Sequence, residues 1–168
     1  MFALTISAAA FIPMMLEALR SASNERALRA AGAREPAGDV YAAMQVLYPG
    51  SFLAMAIEAW LRGSGPNAMA LTGALVFVCA KALKYWAVAT LGRRWTFRVL
   101  VPPASDLIMR GPYRLLRHPN YVGVVGELVG FAIVAQAPVA GVLATMAFGM
   151  LLRARIRVEE AALRSART

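Results

Sequence analysis

Long, nearly uninterrupted apolar stretches constrain this chain more than any single motif does. A helix that crosses a bilayer needs about 20 mostly apolar residues. Stretches of that kind occupy 2–19, 40–61 and 68–91, and a fourth apolar region divides at Gln136-Ala-Pro138 into 119–135 and 139–152. With 60% apolar residues and a mean hydropathy of +0.57, the chain lies well above ordinary soluble domains. The fold expected is an all-α integral membrane protein with about five transmembrane helices. It forms one membrane domain over 1–168, with three N-terminal spans in 1–91. Residues 92–168 then supply a long polar connection, a helical hairpin that can be short and tilted, and a charged C-terminal helix.

Punctuation along the chain agrees with this division. Pro13 is a candidate kink in the first span. Arg62-Gly-Ser-Gly-Pro-Asn67 carries strong turn chemistry. Lys81, Lys84, Tyr85 and Trp86 read as residues that sit at the interface or snorkel towards it. In the polar connection, 96–101 has β-type composition and precedes a Pro-rich turn, which together suggest a short irregular hairpin. Pro119 suits the first turn of the fourth helix. The N-terminus has neither a basic leader nor a small-residue cleavage site, so 2–19 reads as a retained span rather than a signal peptide.

The net charge of +9 is sorted between the spans, which argues for membrane topology and against a nucleic-acid partner. The first connection carries four Arg, the third six and the tail five, against one in the second and none in the fourth. Five helices with the N-terminus outside and the C-terminus cytoplasmic satisfy the positive-inside rule, as in a bacterial-type inner membrane. The long third connection and the tail then share the cytoplasmic face. The single cysteine, Cys79, excludes a disulfide framework and a cysteine-based metal site, and no metal is expected.

Two polar strings stand out. Gly111-Pro-Tyr-Arg-Leu-Leu-Arg-His118-Pro-Asn-Tyr-Val-Gly123 holds the only histidine and opens the fourth helix. Arg153-Ala-Arg-Ile-Arg-Val-Glu159-Glu160 follows the last apolar segment. His118 lies at a helix mouth whose backbone N–H groups favour an anion. Arg155 and Glu159, four apart, share one helix face. Tyr113 and Tyr121 offer aromatic faces to a cation. The plainer alternatives are a histidine cap, a surface Arg–Glu pair worth less than about 1 kcal/mol, and a basic tail on anionic lipid. Three carboxylates fall in or near apolar segments. Glu17 and Glu58 lie close to span ends and can reach the interface, while Glu127 is deeper, on a helix with Gly123, Gly126 and Gly130. That glycine face can pack a neighbouring helix or leave room for a ligand.

The two strings resemble the "RHPxYxG" and "RIxxEE" signatures of the isoprenylcysteine carboxyl methyltransferase family. Leu91-Gly-Arg-Arg-Trp-Thr-Phe-Arg98 is similar to the family's sequence ahead of them, and the resemblance covers roughly half of the chain, 84–163. It implies S-adenosyl-L-methionine as methyl donor, held at the cytoplasmic face without a Rossmann fold, and no glycine-rich dinucleotide loop is present. Carried over by motif position, cofactor contacts fall on Tyr113, His118, Pro119, Asn120, Tyr121 and Glu159. The closing turn falls on Ser105, Asp106, Leu107 and Ile108. Arg155 takes the acceptor-facing position; Glu127 is a second candidate near the acceptor on its depth and glycine-bearing helix alone, not on the resemblance. Methyl transfer draws mainly on alignment. A phenol or amine acceptor also needs a base, for which His118 and Glu160 are the candidates. The tail is shorter than in eukaryotic members and nothing marks a prenyl-cysteine site. The acceptor therefore stays open among a prenyl-cysteine carboxylate, a phenolic lipid, an amine headgroup and another isoprenoid-like molecule. Two other readings are a nicotinamide-dependent membrane reductase of the sterol-reductase type and a non-enzymatic transport or scaffold protein.

Overall fold

The computed structural model describes residues 1–102 and 108–165. Its elements are α1 (Phe2–Ala30), α2 (Tyr41–Leu61), α3 (Ala68–Leu91), α4 (Pro119–Ala135) and α5 (Pro138–Ser165), with short 3-10 turns at Gly92–Arg94 and Gly111–Arg114. Three helical stretches, Phe2–Ala30, Ala68–Arg94 and Pro138–Ser165, are long and apolar enough to cross a membrane, and Pro119–Ala135 is a shorter apolar helix. Large apolar side chains such as Leu4, Ile12, Leu53, Leu75 and Val142 point outward, as expected where the surrounding solvent is lipid. The protein is an all-helical integral membrane protein.

Two helices run further than the hydropathy pattern indicates. α1 continues past residue 19 to Ala30, because 20–30 is rich in good helix formers and Arg29 reaches Glu25 one turn back at 2.9 Å. α5 is one unbroken helix of 28 residues, about 42 Å at 1.5 Å per residue, so the charged tail continues the last apolar segment. Most of the Pro-rich turn of the hairpin expected after 96–101 lies outside the described residues. Within them, Arg34 and Val101 make an isolated antiparallel bridge, each N–H donating to the other's carbonyl at 3.0 Å. The end of the 96–101 segment thus pairs with the first connection.

Glycine brings α3 and α4 together. A Cβ on Gly130 would lie 2.5 Å from the Phe77 backbone nitrogen, one on Gly73 2.4 Å from that of Val134, and one on Gly123 2.8 Å from Lys84 Cβ. The glycine face of α4 thus packs a neighbouring helix. Beside it, Phe52 from α2, Phe131 from α4 and Phe148 from α5 are buried with Met55 and Leu128, and the Phe52 and Phe131 rings meet edge-on at 4.9 Å.

The end of the bundle away from the polar strings is tied by caps. Asn67 accepts from the Ala70 N–H at the start of α3 at 2.8 Å, and Gln136, left-handed at φ 53°, ends α4 and donates to the Gly65 carbonyl at 2.7 Å. Glu58, read from sequence as a carboxylate reaching the interface, accepts from the Val139 and Ala140 N–H groups at 3.3 and 2.7 Å and caps α5. Gly130→Ala should cost about 1–3 kcal/mol through overpacking, seen as a lower unfolding midpoint in detergent. An unchanged midpoint would mean that α3 and α4 do not approach this closely.

Candidate functional site

The site forms where the start of α4 meets the charged end of α5. Gly111 opens the approach at φ 57°, and a Cβ there would lie 2.5 Å from Thr90 Oγ1, so glycine is required on both counts. Pro112, fully buried, anchors the following turn and brings Tyr113 to the site. Burial first, and then the nearby Glu159 charge, push the Tyr113 phenol well above its ordinary value, so it stays a protonated donor.

His118 occupies the N-cap position of α4 but makes no side-chain cap bond. Its ring stacks on Tyr121 at 5.4 Å, and its Nε2 lies 3.3 Å from Glu160 Oε1. Pro119 has no N–H, and the Tyr121 and Val122 N–H groups both return to the His118 carbonyl at 3.1 and 3.2 Å. Among the described residues this leaves Asn120 as the first-turn N–H without a partner, so the helix mouth offers an anion fewer donors than its sequence suggests. Asn120 Oδ1 is also buried and unbonded among the described residues.

Glu159 and Arg155 project from α5 one turn apart, yet they do not pair with each other among the described residues. Tyr121 stands between them, its hydroxyl donating to Glu159 Oε2 at 2.5 Å and accepting from Arg155 Nε at 3.1 Å. Arg155 is 4% exposed and also donates to Asp39 Oδ1 at 2.8 Å and to the Phe97 carbonyl. It is a buried hub rather than part of a surface pair.

These groups border a cavity of about 1020 Å³, at the upper end of ordinary ligand pockets. Tyr113, Arg117, His118, Asn120, Glu159 and Glu160 supply a polar part of its lining. Met14, Ala18, Met44, Pro49, Val124 and Phe148 supply an apolar part, and residues of the 94–102 segment and Arg155 also line it. Pro119 is buried at the start of α4. Ile108 also lines the cavity, whereas Ser105, Asp106 and Leu107 lie outside the described residues.

A network of buried charge joins four helices beside this cavity. Lys81 Nζ lies 3.1 Å from Glu17 and 2.9 Å from Glu127, and Lys84 Nζ lies 2.5 Å from Glu17 and 3.3 Å from Glu127. The Tyr48 hydroxyl donates to Glu127 Oε2 at 2.5 Å. The two lysines therefore turn inward instead of snorkelling outward, because carboxylates at bonding distance offset a desolvation that lipid would leave uncompensated. Glu127 is absent from the described lining of the cavity, while Lys84 and Tyr48 belong to it. Glu17 is a partner in this network and not an interfacial group.

Sequence reading missed the residues that hold 94–101 in place. Asn24 donates to the Trp95 carbonyl at 2.7 Å, Ser21 accepts from the Phe97 N–H at 2.7 Å, and Asp39 Oδ2 accepts from the Val99 N–H at 3.1 Å. Arg98 reaches Glu35 at 2.7 Å and lies over the Tyr41 ring at 4.4 Å. Burial alone would raise the Glu35 pKa, but hydrogen bonds from Arg29 and Arg98 outweigh it and hold the carboxyl below its ordinary value. The usable signal was topological, since acidic residues in the first connection share a face with the arginines of the third.

A model of the isoprenylcysteine carboxyl methyltransferase (ICMT) family matches residues 72–165. The chain is 32% identical over 140 residues to the uncharacterized protein YpbQ of Bacillus subtilis (strain 168), covering 83% of each chain. It is 24% identical over 144 residues to an uncharacterized protein of Haemophilus influenzae, covering 85% of this chain and 84% of the relative. A probable protein-S-isoprenylcysteine O-methyltransferase of Oryza sativa subsp. indica is 32% identical over 94 residues, which is 55% of this chain and 49% of the rice protein. No solved structure matches.

The matched segment holds Lys81, Lys84 and Glu127, but their partners Glu17 and Tyr48 lie outside it. Glu127→Ala, which strips one carboxylate from the buried Lys84 and the largely buried Lys81, should destabilise the protein by about 3–5 kcal/mol. The pair Glu127→Leu with Lys81→Met should recover much of that. Denaturation midpoints in detergent measure both, and a single variant as stable as the parent would show that the network is solvated.

Proposed function

The chain belongs to the isoprenylcysteine carboxyl methyltransferase family, and from that premise we propose that it transfers a methyl group from S-adenosylmethionine to a lipophilic acceptor drawn from the bilayer. The observation that carries the reading is the meeting of the two strings at one cavity. Groups suited to a charged nucleoside-like donor lie at its polar part, and an apolar part suits a lipid chain. By the positive-inside rule the strings face the cytoplasm, with the N-terminus outside.

The residues present fit the donor. Asn120 Oδ1 is a buried acceptor in want of a donor, such as an amino group. Glu159 can balance an ammonium or bind ribose hydroxyls, and the Asn120 N–H can meet a carboxylate. The Tyr113 and Tyr121 rings can stack on a base or attract a sulfonium. When bound, S-adenosylmethionine supplies an electrophilic methyl group. The protein's own contribution is placement: Arg155, held rigid, presents N–H donors to an anionic or oxygen acceptor, and the apolar lining keeps water away. A phenol or amine would pass its proton to His118, whose ring is backed by Glu160 at 3.3 Å. A prenyl-cysteine carboxylate would need no base. The family match does not favour the reductase or scaffold readings.

Calorimetric titration of S-adenosylhomocysteine into purified protein tests the reading. Binding by the parent should weaken at least tenfold, about 1.4 kcal/mol, in Glu159→Gln and in His118→Ala. No binding by a well-folded parent sample would sink the assignment.

A further inference from the structure

Asp39 lies in the connection between α1 and α2, outside the segment that matches the family. Its side chain is 4% exposed, and both carboxylate oxygens are committed. Oδ1 accepts from Arg155 Nη1 at 2.8 Å and Oδ2 accepts from the Val99 N–H at 3.1 Å. One carboxylate thus joins α5 to the extended segment beside the cavity.

Its effect on Arg155 is geometric. A guanidinium is a rigid plane with five N–H donors. Arg155 spends one N–H from each nitrogen, on Tyr121, Asp39 and Phe97. Three bonds from three nitrogens to three separate chain segments fix both the position and the tilt of the plane. Of the five donors, three are used and two stay uncommitted among the described residues, on a side chain that lines the cavity. The Tyr121–Glu159 bond does not pass through Asp39, so the donor-side carboxylate keeps its partner if Arg155 shifts.

We infer that Asp39 is a positioning residue for the transfer reaction. It sets the plane of the Arg155 guanidinium and clamps the segment around Val99, so that the two uncommitted N–H groups are held towards the oxygen or anionic head of the acceptor. The inference rests on the proposed reading of Arg155 as the group beside the acceptor. A plain structural ion pair would need only the charge of Asp39, whereas positioning needs its length as well. A misplacement of about 1 Å in such a group can cost about 10²-fold in rate.

Asp39→Glu keeps the charge and lengthens the side chain, and Asp39→Asn keeps the shape and removes the charge. Both are compared with the parent as full-length protein in lipid nanodiscs, by three measurements. These are the Kd for S-adenosylhomocysteine, the rate of labelled methyl transfer from saturating S-adenosylmethionine into a total lipid extract, and the Nε–H resonance of Arg155 in arginine-labelled protein. Both variants should bind S-adenosylhomocysteine within threefold of the parent, transfer at least tenfold more slowly, and lose the slowly exchanging Nε–H signal. An Asp39→Glu variant that transfers at the parental rate overturns the inference, and so does a loss of binding that matches the loss of rate. A parent that neither binds nor transfers overturns the methyltransferase reading itself. The resonance then still reports whether Asp39 immobilises Arg155, so the two failures are told apart.

Discussion

Lys84, Glu17 and Glu127, buried among apolar helices, and the largely buried Lys81 are tolerable there only in each other's company. Lys81 and Lys84 on α3 each reach Glu17 on α1 and Glu127 on α4, and Tyr48 on α2 completes the set. An unpaired charge at such a place costs several kcal/mol. The network therefore sets which helices are neighbours and at what height. Apolar contacts alone specify this weakly, because lipid competes for them equally well. The glycines of α3 and α4 bring the two backbones close enough for the lysines of one helix to meet the carboxylate of the other.

With that core fixed, the end of the bundle where α4 begins becomes a site by the same rule of compulsory pairing. Arg155 is buried and must spend its donors, and it does so on α4, the first connection and the 94–101 segment at once. Tyr121 then links it to Glu159. A chain of satisfied polar groups thus holds the cavity wall rigid beside an apolar lining. A transfer reaction that depends on alignment needs such rigidity.

Local chemistry made much of this legible. The turn at 62–67 announced the start of α3, Pro119 marked the start of α4, and Gln136-Ala-Pro138 the break between α4 and α5. The alternating arginine count put the two strings on one face. What escaped the sequence was long-range. Asp39 and Arg155 are 116 positions apart, and nothing near Asp39 announces its partner. Lys81 and Lys84 looked interfacial because hydropathy records the cost of a charge but not the carboxylate that offsets it. Hydropathy ends the first span near residue 19, because it registers polarity and not the good helix formers at most positions from Arg20 to Ala30 that carry α1 on.

Transfer itself is the most direct test of the account. Purified protein in vesicles of total lipid extract would be given S-adenosylmethionine carrying a labelled methyl group, and the label recovered in the organic phase would be counted over time. The account predicts time-dependent label in an extractable lipid, abolished by excess S-adenosylhomocysteine and by Glu159→Gln. Label that stays in the aqueous phase at background level, with folded protein and saturating donor, would contradict it.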